Sequence, residues 1–330
     1  MRHHFGDFLD RDGNYWTIAP NRERYAHRID DVPEGSSDIT IITIGKEDKN
    51  WARVLALSNL VELTLHEPTT EQLAAIGSIP SIKRLRITHA RPKNLDFIRP
   101  MHGLEELVLE YVSGFNDLVP LGSLPNLRAL HMENLRKVSD FGGLETAANL
   151  RYLAIYGTTD WEQPINNFEF LRGLPQLEVF ALWQIKCQAS YPAMLPAIGL
   201  RHLKKLRIHR SYLGTDEYAL LEEGLSDVEG AAWGFCETVA RSQIRLPDDD
   251  VRAGLSDGDI RSNHPEVSVH YDGARFIADP ASLWFEFTGR GAGRVKCSSP
   301  SAEAKCLEKS EQYDKMKLQA RALIERERTG

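Results

Sequence analysis

Few side chains in this 330-residue chain stand at spacings that chemistry requires. Eleven histidines invite a metal reading, and His66 and His89 come nearest to one. No cysteine or third histidine joins them at ligand spacing, and two ligands alone make a poor site. Solvated surface histidines and no bound metal are therefore expected. Cys236 with His264 raises a thiol nucleophile or a zinc site. The four cysteines, Cys187, Cys236, Cys297 and Cys306, contain no C-x-x-C pair, and no residue can be named to orient a Cys–His couple. Idle or buried cysteines are expected. Gly289-Arg-Gly-Ala-Gly293 holds three glycines beside Arg290 and Arg294. A phosphate loop needs a strand before it and a helix opening directly after it. A short strand follows here instead, so the run reads as a hairpin turn. There is no G-x-S-x-G, H-E-x-x-H or Walker-type loop. The expectation is a protein without a cofactor that is not an enzyme.

The bulk composition narrows the class further. Acids outnumber bases by 47 to 40, a net charge of −7, which argues against a dedicated duplex-nucleic-acid binder. The basic run from Arg201 to Arg210, with Lys204, Lys205, Arg207 and His209, suits an acidic protein better than a phosphate backbone. The acids Glu106, Glu110 and Glu133 share its expected face. No stretch of 18 apolar residues exists, so no transmembrane helix is expected. The first residues carry acids and lack an apolar stretch of signal-peptide length. With only four scattered cysteines, a reducing cytoplasm is the expected compartment.

What must position these side chains is a repeat. A six-residue phrase with apolar residues at its first, fourth and sixth places begins at Leu60, Ile82, Leu104, Leu127, Leu150, Leu177 and Leu203. Its fourth places hold Leu63, Leu85, Leu107, Leu130, Leu153, Phe180 and Leu206. Successive phrases lie 22, 22, 23, 23, 27 and 26 residues apart. Degenerate copies at Ile39–Ile44 and Val228–Trp233 flank the seven. Apolar residues recur nine, six and three places ahead of most phrases, as with Leu95, Ile98 and Met101 before Leu104. A residue with a hydrogen-bonding side chain usually precedes them: Asn50, Gln72, Asn94, Asp117, Asp140 and Asn167. Such a side chain accepts from backbone N–H groups one turn on and so starts a helical turn. A period of three suits 3₁₀ turns. Each repeat is then one strand and one tight helical segment. A single repeat cannot bury its apolar side, so neighbours stack into a parallel sheet with one face packed and one in water.

These phrases resemble a leucine-rich-repeat protein of the short-repeat, internalin-like bacterial kind, over roughly residues 37–235. The resemblance implies an α/β fold, a curved solenoid with its parallel sheet on the concave side and short helical segments on the convex side. One departure stands out. Where the family commonly carries an Asn after the strand, this chain has Pro68, Ala90, Val112, Leu135, Thr158, Ile185 and Ser211.

The flanks read as ends of the array. Residues 1–36 are expected to form an N-terminal cap, with a hairpin turning at Asp12-Gly13. Residues 236–330 are expected to form an α+β unit, either a cap or a small domain. Its signals are a hairpin at Asp272-Gly273, strands near Ser282–Phe287 and Arg294–Cys297, and a helix opening at Ser299-Pro300. That helix carries Tyr313, Met316, Ala320, Leu323 and Ile324 on one apolar stripe.

Function is expected on the outward strand face. Its third, fifth and seventh places include Glu110, His131, Glu133, Tyr152, Tyr156, Trp183, Arg207 and His209, with Tyr111 beside them. Aromatics and arginine are enriched at protein interfaces. All nine are expected to be exposed, since their parity opposes that of the buried leucines. Replacing Tyr156 and Trp183 by alanine is expected to leave the melting temperature nearly unchanged. The leading expectation is a protein-interaction module with a scaffold, inhibitor or immunity-type role. The alternative is an effector or enzyme whose active site lies in residues 236–330.

Overall fold

A computed structural model describes residues 28–36 and 38–329, together with the strands β1 (Leu9–Asp10) and β2 (Thr17–Ile18), which pair antiparallel. The expected turn at Asp12-Gly13, and most of the expected N-terminal cap, lie outside the described residues. The centre of the molecule is an eight-stranded parallel sheet. Its members are β3 (Ile41–Gly45), β4 (Glu62–His66), β5 (Arg84–Thr88), β6 (Glu106–Glu110), β7 (Ala129–Glu133), β8 (Tyr152–Tyr156), β10 (Val179–Trp183) and β12 (Lys205–Ile208). Between the last three lie two short strands, β9 (Gln163–Ile165) and β11 (Ile185–Cys187), paired parallel in a sheet of their own. These occupy the extra residues of the 27- and 26-residue repeats. The degenerate copy at Ile39–Ile44 supplies the first strand. The one at Val228–Trp233 contributes a single parallel bridge, Glu229 to Lys205.

Register is set by the leucines. Leu63 pairs with Leu85, Leu85 with Leu107, Leu107 with Leu130, Leu130 with Leu153, and Phe180 with Leu153 and Leu206. All are buried in one continuous core. On the far side of that core the chain makes 3₁₀ turns at Trp51–Ala56, Asp96–Ile98, Gly142–Leu144, Glu169–Gly173 and Leu195–Gly199. The helices α1 (Thr70–Ile76) and α2 (Val119–Gly122) take the same place in two repeats. The turn-starting side chains work as expected in four repeats. Asn94, Asp117, Asp140 and Asn167 each accept from the amide two residues on, at 2.8–3.2 Å. Asn50 makes no such bond. Gln72 departs for a definable reason: it is the third residue of α1, where it closes a capping box with Thr69 and donates through Nε2 to the Gly45 carbonyl.

The place three residues past the last apolar residue of each phrase holds an apolar side chain in five of the seven repeats. Ala90, Val112, Leu135 and Ile185 are buried in the core. The backbone groups of that turn find other partners. Gln163, 1% exposed, accepts from the Leu135 amide and donates to the Val138 carbonyl.

Charged side chains of opposite sign pair from strand to strand along the entry edge of the sheet. Arg84 lies between Glu62 and Glu106, and Arg128 reaches both Glu105 and Glu106. Lys83 pairs with Glu105, and Glu178 sits between Arg151 and Lys204.

After α3 (Thr215–Gly224) the chain forms two small antiparallel sheets. One contains β13 (Cys236–Ala240), β17 (Leu283–Phe287) and β18 (Arg294–Lys296). The other contains β14 (Gln243–Arg245), β15 (Val267–Val269) and β16 (Arg275–Ala278), with α4 (Asp257–Asn263) alongside. The hairpin at Asp272-Gly273 joins β15 to β16. The last helix, α5 (Ala302–Thr329), starts two residues later than expected. The Ser301 carbonyl accepts from the Lys305 amide, and Pro300 belongs to the preceding turn. The apolar stripe of α5 packs on α3 and the final repeat, with Tyr313, Ala320 and Ile324 buried. Tyr313 donates to Glu222 at 2.8 Å, and Lys317 pairs with Glu223 at 3.1 Å. The glycine-rich run is a turn, as expected, and it is docked. Gly289 donates its amide to the Arg210 carbonyl, and a Cβ there would stand 2.2 Å from Thr215 Oγ1. Arg290 donates to the carbonyls of Tyr212 and Ile185 and pairs with Glu162.

Candidate functional site

Because the strands stack in register, outward side chains line up in columns across the sheet. The seventh place gives His66, Thr88, Glu110, Glu133 and Tyr156 on consecutive strands, followed by Trp183. The fifth gives Thr64, Arg86, Val108, His131, Ala154, Ala181 and Arg207. The eighth follows five of the eight strands with a backbone turn in the left-handed region. Glu67, His89, Tyr111, Asn134 and Gln184 all have φ between 45° and 57°. Their amides continue the ladder, as when Tyr111 donates to the Glu133 carbonyl. This turn throws the eighth side chain to the rim of the face.

The rim and the seventh column meet as a run of rings. His66 meets His89 edge-on at 5.4 Å between centroids, and His89 stacks on Tyr111 at 4.9 Å and 3°. The approach of His66 to His89 expected from the spacing is therefore present. Tyr111 borders two clefts. One, about 510 Å³, is lined by Glu67, His89, Arg91, Tyr111, Asn134 and Arg136 among others. The other, about 340 Å³, is lined by Tyr111, Glu133, Tyr156, Thr158, Thr159 and Trp183 with Gly157. Tyr111 and Trp183 remain 41% and 45% exposed. Trp183 rests edge-on against Tyr212, and His209 lies beside the same ring. Burial, followed by the negative charge of Glu133, pushes the Tyr111 phenol up. Burial also raises Tyr156, against the opposing charge of Arg207.

Two of the nine expected surface residues are not at the surface. Tyr152 is 1% exposed and His131 is 2% exposed. Strand parity places both on the outward face, but that face is partly dry. Tyr152 pairs across to Ala129 and Val179, and with Val108, Ala154 and Ala181 these form a second buried cluster. Small neighbours leave space that the large ring fills. Tyr156 packs on the same cluster and is half-buried, which argues for a stability cost on its replacement. Glu110, Glu133 and Arg207 are intermediate, and His209, Tyr111 and Trp183 are exposed. Sequence reasoning missed a cluster that its own residues compose: Glu110, His131 and Glu133 converge, with one ligand atom from each lying within 4.8 Å of the others. Aligning the fifth and seventh places of neighbouring repeats would have found it.

In the C-terminal region, Cys236 and His264 fall in different surroundings. Cys236 packs with Phe287 and Val295, and burial raises its thiol. His264 lies 3.4 Å from Glu266. No helix among the described residues is long and apolar enough to cross a membrane.

No family model matches the chain, and no curated protein matches it. Solved structures do. An internalin (inlF) from Listeria monocytogenes is 18% identical with a TM-score of 0.41, covering 51% of this chain and 47% of its own. Internalin C2 from the same organism is 21% identical with a TM-score of 0.37, covering 51% and 66%. A leucine-rich-repeat protein from Leptospira interrogans is 14% identical with a TM-score of 0.34, covering 58% and 59%. The chain thus spans about half of the first of these and under two thirds of the others. The in-register ladder of residues 41–208 is itself a leucine-rich-repeat solenoid, followed by a distinct α+β region.

Proposed function

We propose that this protein is a non-enzymatic module that holds a protein partner on the outward face of the repeat sheet, in a scaffold, inhibitor or immunity-type role within the cytoplasm. In this reading residues 37–235 are the binding unit and residues 236–330 close its end. The observation that carries it is the pair Tyr111 and Trp183, two large rings left over two-fifths exposed on either side of one cleft. Aromatics so placed supply rigid apolar area at low rotamer cost. Glu110, Glu133, Arg207 and His209 surround them and set orientation and approach rate. Tyr156 forms the cleft floor, while Tyr152 and His131 support it from below without touching the partner.

The test starts with affinity capture from the native cell, using the whole chain as bait, and identification of the bound protein by mass spectrometry. The purified partner is then titrated calorimetrically against the wild type and the Tyr111→Ala/Trp183→Ala double variant. These rings are more exposed than Tyr156, so the variant is expected to fold, which circular dichroism checks. Binding is expected to weaken by ~2 kcal/mol or more, about 30-fold. An unchanged Kd would remove this face from consideration and turn attention to residues 236–330.

A further inference from the structure

Beneath the exposed rings lies a group of side chains that partner binding does not explain. Glu110 and Glu133 are paired neighbours in the seventh column of β6 and β7, and His131 precedes Glu133 by two residues on the same face. The imidazole is buried, yet among the described residues it makes no hydrogen bond. Nδ1 is sealed from solvent without a partner, and Nε2 stands 3.8 Å from Glu133 Oε2. Burying a polar group unpaired is costly, and the nitrogen that faces Glu133, Nε2, stands beyond hydrogen-bond reach of it, so this side of the ring can accept a ligand. Arg86 occupies one side of Glu110: its Nε and Nη2 both donate to Oε2.

We propose that Glu110, His131 and Glu133 bind a divalent first-row transition ion of the Zn²⁺ type. One imidazole nitrogen with two carboxylate oxygens favours such an ion over Mg²⁺ or Ca²⁺, which prefer all-oxygen surroundings. Metal–ligand bonds of about 2.0–2.2 Å place tetrahedral ligand atoms about 3.4 Å apart. Closing the present spread of up to 4.8 Å takes a side-chain adjustment of Glu110, which Arg86 holds, and of Glu133, which is hydrogen-bonded to Tyr111. Two carboxylates against Arg86 leave one net negative charge, which suits a dication. Arg86 then serves as the outer partner that orients Glu110. Three protein ligands would leave one coordination position for water or a further ligand, and Glu133 also lines the cleft of Tyr111, Tyr156 and Trp183. The inference does not depend on the identity of any protein partner.

The test uses the full-length chain with Co²⁺ as an optical probe and Zn²⁺ in calorimetry. One Zn²⁺ per chain is expected, with visible d–d absorption from Co²⁺ and no thiolate charge-transfer band. Glu133→Gln leaves no buried charge unpaired and should fold; it is expected to weaken Zn²⁺ binding at least 10-fold. His131→Ala should do the same, and if it fails to fold, Glu133→Gln alone decides. Excess Ca²⁺ should not displace the metal. The proposal is overturned if Co²⁺ gives no d–d spectrum, if it gives a thiolate band that survives Glu133→Gln, or if that variant binds Zn²⁺ within twofold of the wild type.

Discussion

Tyr152→Ala and Trp183→Ala remove aromatic rings from strands β8 and β10 of the same sheet face, yet they should fail in opposite ways. Tyr152 is 1% exposed. A ring of that size buries on the order of 150–250 Å², which at about 25 cal/mol per Å² is an upper bound of ~4–6 kcal/mol. The neighbours Ala129, Ala154 and Ala181 are too small to collapse into the vacated space, so a cavity remains. A loss of ~3–5 kcal/mol, the range for deleting a buried aromatic, is therefore expected. Trp183 keeps 45% of its surface in water. Its removal opens onto solvent without creating a cavity, and roughly half the area term, ~3 kcal/mol at most, applies. Urea unfolding followed by circular dichroism measures both, with the m-value checked because repeat arrays can depart from two-state behaviour. Partner affinity is measured in parallel on folded samples. The expected pattern is a large stability loss with intact affinity for folded Tyr152→Ala, and the reverse for Trp183→Ala. A Tyr152→Ala protein that keeps its urea midpoint but loses its partner would refute the claim that part of this face is dry.

Two further outcomes follow from buried polar groups. Glu217 accepts from the amides of Ala193 and Met194, and burial outweighs both bonds to raise its carboxyl from the usual 4.5 to about 7. A raised acid contributes stability below its unfolded value that is lost as pH rises through the folded one. Wild type should lose about 3 kcal/mol between pH 4.5 and 7 that Glu217→Gln does not lose, and parallel stability–pH curves would refute this. Gln163→Leu keeps the volume but strips partners from the Leu135 amide and the Val138 carbonyl. A cost of ~2–4 kcal/mol is expected in urea melts, and a neutral variant would show that the turn has another partner.

The ladder of leucines was legible because period-two alternation within a phrase and a fixed spacing between phrases can only be satisfied by stacking. The turn starters at Asn94, Asp117, Asp140 and Asn167 were legible for the same local reason: each needs only the amide two residues on. Gln72 was misplaced because a Thr69-x-x-Gln capping box competes for the same stretch of chain, and it won. The burial of Tyr152 could not be read from parity. Parity gives the face, whereas burial depends on the side-chain volumes at Ala129 and Val179, more than twenty residues away on either side. The contacts of Arg290 with Glu162 and Ile185 are likewise invisible to sequence, since nothing local ties the glycine turn to β11.

The paired charges along the entry edge of the sheet make the unit 82–103 non-interchangeable. Excising the single unit 82–103 would leave the leucine ladder and the backbone pairing formally whole. It would also set Glu62 directly against Glu106, two carboxylates whose side chains are 5% and 1% exposed, with Arg84 gone from between them. Bringing two buried carboxylates together, with Arg128 left to offset only one of them, costs more than an exposed pair contributes. The array therefore behaves less like a string of identical beads than like a keyed lock. Unit 82–103 is admitted only beside its own neighbours, and shrinkage by that whole repeat, otherwise the easiest change for a solenoid to make, is resisted at this edge.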